Sequence, residues 1–216
     1  MSRVETLIET LAADARPVRP LRPPVARAMA WIAAVTISGG LAVYLLADVR
    51  QLFARYDGRA EMMALEMAAM LATGVLAIVG AFLVAIPGRS KRWLLAPAGP
   101  FAAWLLLSGA GCYRDLVRNG SSDLSIGHSL DCLIFILAVS LPLGVTLVWL
   151  LARARPIDPL PVALLGGLGT AATAAFILQF FHPFAVTFVD LAIHLFAIAL
   201  VVSVTALINR RALSPA

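Results

Sequence analysis

Long apolar runs alternate with short polar breaks along the chain. The runs cover residues 28–47, 62–86, 93–112, 128–152, 162–181 and 187–208. Each approaches the roughly 20 residues that an α-helix needs to cross about 30 Å of hydrocarbon. They are unbroken, whereas the strands of a membrane barrel alternate over about ten residues, so the pattern predicts helices. The breaks "DVRQLFARYDGRAE", "PGRSKRW", "YRDLVRNGSSDLSIG", "RARPIDPLP" and "HPFAVTF" are too short to hold another domain. The expected fold class is all-α and polytopic. It has six transmembrane helices within 28–208, a tail at 1–27 and a second tail at 209–216.

The first tail has a pattern of its own. Val4, Leu7, Ile8 and Leu11 fall at i, i+3, i+4 and i+7, on one face of a helix over 3–14. Glu5, Thr6, Glu9 and Thr10 lie mostly opposite. Ser2 with Glu5 has the capping-box spacing, and Pro17 makes Arg16 a helix boundary. Such a short helix is marginal in water and needs an apolar surface to lie on. After it, "RPVRPLRPP" reads as an extended, stiff strap, because each proline fixes φ. The acidic side suits a basic protein partner. The competing reading is an interfacial anchor helix, which an anionic leaflet would favour if that side carried lysines.

Composition agrees with the bilayer as solvent. Hydrophobic residues make up 61% of the 216 and charged residues 13%, against about a quarter charged in a soluble domain. The 27 mixed residues before the first run argue against a cleaved signal peptide. Twelve of the seventeen Lys and Arg fall on the side of the two tails. The positive-inside rule then puts both termini in the cytoplasm. That asymmetry accounts for much of the net charge of +5 without nucleic acid, and some of it suits anionic lipid. Two cysteines are too few for a disulfide framework.

The unusual polar residues of the spans collect on the non-cytoplasmic side. They are Glu66, Cys112, His128, Asp131, Cys132, His182, Asp190 and His194, including every histidine and cysteine of the chain. His128 and Cys132 are four apart on one helical face, as are Asp190 and His194. Two kinds of site fit. One is a metal site of Cys132, His128, His182 and His194, a sulfur and nitrogen set suited to zinc or copper. Asp190 or Asp131 would then orient an imidazole. The other is a redox site in which Cys112 and Cys132 approach and oxidise. Taken singly, each of these residues is ordinary at the mouth of a span. Gly39, Gly40, Gly74, Gly80, Gly109, Gly111 and the "GGLG" at 166–169 permit close helix packing. Pro97, Pro100 and Pro142 are expected to bend spans three and four. The chain has no nucleophile elbow, P-loop or HExxH helix, so an enzyme is not expected.

The opening "LIETLAADARPVRPLRPP" followed by six spans resembles the NrsF-type anti-sigma factors of proteobacterial inner membranes. So do "LDCLIFILAVSLPLGVTLVWLLARARP" and residues 164–211 with their "HPFAVTFVDLAIHL" turn. The resemblance implies a protein that holds an extracytoplasmic-function sigma factor at the membrane and releases it under a stress such as a heavy metal. Periplasmic cysteines are the usual sensing residues of that family, and Cys132 matches the first. The family tends to carry a His-Cys-Pro turn before the last span, but here "FFHP" has His182 beside Pro183 and no cysteine. Replacing the cysteine by histidine keeps a metal ligand and removes a disulfide partner, unless Cys112 substitutes. The tail would then be the sigma-factor grip, with Val4, Leu7, Ile8 and Leu11 as anchors and Glu5 and Glu9 as charge partners. A small metal or solute transporter would use the same cluster for uptake, but it needs a second polar site deeper in the membrane. A structural membrane subunit is the third alternative.

Overall fold

In a computed structural model, residues 3–13, 20–48, 50, 60–119, 126–181 and 188–213 are described. Seven α-helices and one 3₁₀ turn cover most of them: α1 (Arg3–Ala13), α2 (Pro24–Leu46), α3 (Ala60–Val84), the turn Lys91–Leu95, α4 (Ala98–Asn119), α5 (Ile126–Ala152), α6 (Pro159–Leu178) and α7 (Phe188–Leu213). No strand occurs among the described residues. Six helical segments are long and apolar enough to cross a membrane. An even number of spans returns both chain ends to one face, called here the terminal face. The other is the far face.

Local sequence sets the helix starts. Proline occupies the first turn of α2 and of α6, where its missing N–H would have no partner anyway and its φ is already helical. Pro23, the residue just before α2, is extended at φ −49 and ψ 142. Pro97 and Pro100 fall near the N-terminal end of span three. They lie at the start of α4, separating it from the 3₁₀ turn, and the Phe101 N–H closes the first helical bond to the Pro97 carbonyl at 2.9 Å. A proline is tolerated in a first turn and is costly further in. Pro142 does lie within α5, and the helix continues through it.

The bundle is built around α6, which is flanked by α3, α5 and α7. Water does not drive helices together inside a bilayer, so association depends on close packing, which small residues permit. The 166–169 segment provides it. A Cβ on Gly167 would stand 2.7 Å from the Val202 Cα, and one on Gly169 would stand 2.5 Å from the Ile78 Cδ1. The hydroxyls of Thr170 and Thr173 donate to carbonyls of their own helix, at Gly166 and Gly169, which keeps polar groups satisfied away from water.

Three apolar clusters follow one another across the bundle. Near the terminal face, Trp31 and Val35 of α2 pack with Ile78 and Phe82 of α3, Leu147 and Leu151 of α5, and Leu165 of α6. Next come Met70, Trp104, Ala171, Ala175, Ile198 and Val201. Toward the far face lie Cys132 and Ile136 of α5, Ala174 and Leu178 of α6, and Ala197 of α7.

Candidate functional site

Helix α1 forms where the i, i+3, i+4 periodicity predicts it, ending at Ala13; Ser2 and Asp14 lie outside the described residues. Glu5 stands in its first turn, favourable at the positive end of the helix dipole. The Thr10 hydroxyl donates to the Thr6 carbonyl at 2.8 Å. None of its residues is buried. Val4 is 64% exposed, Leu7 57%, Ile8 59% and Leu11 63%. The stripe is complete and uncovered, with Glu9 also exposed.

At the far face, Cys132 is buried at the junction of α5, α6 and α7, against Ala174, Leu178 and Ala197. Asp190 and His194 are buried on α7. Asp190 and Asp131 lie within electrostatic reach of the Cys132 thiol, Asp131 from an exposed position. The His194 ring turns back along its own helix, and Nδ1 meets the Asp190 carbonyl at 2.7 Å. A carbonyl only accepts, so Nδ1 carries the proton, and when the ring is neutral Nε2 keeps its lone pair. A ligating imidazole needs this arrangement. Here the backbone of Asp190 provides the orienting oxygen.

The remaining members of the expected set distribute unevenly. His182 and the side chain of His128 lie outside the described residues. Among those described, no three His, Cys, Asp or Glu side chains converge as metal ligands would. Cys112 is buried on α4, outside the cluster that holds Cys132, and the two sulfurs are not bonded to each other. Glu66 accepts a hydrogen bond from the Ser108 hydroxyl, which ties α3 to α4.

One buried amide at the far face belongs to no sequence motif. Gln179 caps α6 at the far face and directs Nε2 toward the Met70 sulfur at 3.9 Å. An uncharged amide in the run "FILQFF" was the available signal.

The chain matches the family described as NrsF, negative regulator of sigma F, over residues 11–214. It belongs to the NrsF family. The match takes in all six spans and the strap, but it begins at Leu11, the last residue of the α1 stripe. No curated protein matches the chain, and no solved structure does. As an NrsF-family chain it is a negative regulator of a sigma factor, and a sigma factor is its partner.

Proposed function

We propose that this protein is an anti-sigma factor of the bacterial inner membrane. It holds an extracytoplasmic-function sigma factor on the apolar face of α1 and releases it when the far face receives a stress signal. The uncovered stripe of Val4, Leu7, Ile8 and Leu11 in a chain of a negative-regulator family carries this reading. A marginal helix whose residues are all exposed is suited to ordering on a partner. The excess of Lys and Arg beside the two tails supports cytoplasmic termini and a periplasmic far face.

The signal we assign is a zinc-like or copper-like ion, or oxidation, received at Cys132 with His194, His128 and His182. Cys132 fills a closely packed junction of three helices. A metal or an oxygen added to its sulfur requires those helices to move, because such packing has no room to spare. A ligand shifts an equilibrium only by its differential affinity for two states. A hundredfold release corresponds to about 2.7 kcal/mol, within reach of one ion bound in one state only.

The test is photocross-linking of the full chain in native membranes, with the probe at Leu11 and the captured protein identified by mass spectrometry. An extracytoplasmic-function sigma factor is expected, and its capture should be lost in the double variant Leu7→Asp, Ile8→Asp. Capture of other proteins only, or capture that survives the double variant, refutes the reading.

A further inference from the structure

The first turn of α2 is fastened to the bundle by contacts that the functional reading does not use. Residues 20–23 run directly into α2, so they follow wherever that turn goes. Arg27 lies in this turn. Its guanidinium donates to the carbonyl of Leu150, in the last turn of α5. The carbonyls of a last turn run short of N–H partners and carry the negative end of the helix dipole. Ala154, four residues on, gives its N–H to Leu151. Arg27 therefore caps α5 from another helix. The same guanidinium lies over the Phe82 ring of α3, 5.1 Å from its centroid.

A second contact repeats the register one turn further on. The Trp31 indole N–H donates to the Thr146 hydroxyl at 3.2 Å. That hydroxyl in turn faces the Pro142 and Leu143 carbonyls of its own helix, at 3.1 and 2.9 Å. A hydroxyl both donates and accepts, so both roles are filled. Arg27 with Leu150 and Trp31 with Thr146 thus step together along two antiparallel helices, while α2 packs mainly along α3.

Helix α5 also carries Cys132, eighteen residues before Leu150 and about 27 Å away at 1.5 Å per residue. Pro142 lies between them and removes one rung of the helical ladder. Among the described residues, one continuous helix therefore joins the far-face thiol to the fastening of the strap.

We propose that Arg27 is a positioning residue: it couples the terminal-face end of α5 to residues 20–23, so that a displacement of α5 at Cys132 is delivered to the chain leading into α2. The consequence for sigma-factor release rests on the reading above. The mechanical coupling rests on Arg27, Trp31 and α5 alone.

The test uses the full chain in lipid nanodiscs, with spin labels on keto-bearing residues placed at Leu21 and Ile157, both exposed. Pulsed dipolar spectroscopy reads the distance from strap to bundle. The parent protein is expected to give one narrow distance, and Arg27→Gln to lose it to a broad, shifted distribution. Arg27→Lys should fall between, since an ammonium reaches a carbonyl without the planar fork. Cys132→Phe, or Cys132→Val if the larger side chain prevents folding, should shift the distance in the parent and not in Arg27→Gln. An unchanged distribution in Arg27→Gln overturns the proposal. So does a cysteine variant that shifts nothing in the parent, or one that shifts both backgrounds equally. Sigma-factor capture is not read in this experiment, so failure of the α1 assignment would leave these distances as they are.

Discussion

Gly169 of α6 lies so close to Ile78 of α3 that a Cβ would stand 2.5 Å from the isoleucine Cδ1 and 3.2 Å from its backbone nitrogen. A flexible methyl can move aside but a backbone cannot, so Gly169→Ala forces the two helices apart. Overpacking of this kind costs about 1–3 kcal/mol. Gly40, with nothing within 4 Å of its Cβ position, is the control. Thermal melts of the detergent-solubilised protein should fall for Gly169→Ala and hold or rise for Gly40→Ala.

The stripe on α1 predicts a separation of binding from folding. Each of Leu7 and Ile8 contributes roughly 1.5–3 kcal/mol when fully buried. Leu7→Asp should therefore weaken sigma-factor binding by more than about tenfold. The melting temperature of the bundle should not move, because no α1 residue is buried in it. Titration of the labelled sigma factor onto full-length protein in nanodiscs measures the first, and a parallel melt the second.

Six spans and a tail helix were legible because apolar length and a 3.6-residue period are local properties. The contacts between spans were less so. The pattern at 166–169 announces close approach, but it does not say that Gly167 meets Val202 while Gly169 meets Ile78. Proline content suggested a bend within span three. Pro97 and Pro100 fall where the 3₁₀ turn gives way to α4, a position that proline content does not specify. Arg27 read as a topology charge, and nothing local connects it to a carbonyl 123 residues away. At the far face, chemical type picked out Cys132 and His194. It passed over Gln179, because an uncharged amide carries no motif.

Two serines predict opposite responses to the same substitution. The Ser108 hydroxyl donates to Glu66 between α4 and α3, whereas the buried Ser140 Oγ of α5 has no hydrogen-bond partner among the described residues. Ser108→Ala should destabilise by about 0.6 kcal/mol, a typical size for such bonds between membrane helices. Ser140→Ala removes an unsatisfied polar atom and should be neutral or stabilising. Melts of the two variants side by side decide it, and a drop for Ser140→Ala would show a partner for that hydroxyl.

The assigned signal predicts a division between the cysteines. In cells carrying a sigma-dependent reporter, Cys132→Ala should abolish induction by added zinc or copper, and His194→Ala should weaken it. Cys112→Ala should leave it intact, since Cys112 packs outside the cluster of Cys132. Equal loss in both cysteine variants would favour a two-thiol switch over a metal.

Because no residue of α1 is buried, the proposed reading leaves its sequence to answer chiefly to the sigma factor. Exchanging residues 3–13 for another amphipathic helix should redirect the protein to a different client while its membrane domain stays untouched. Recognition and reception can then diverge separately, like a plug and the appliance behind it.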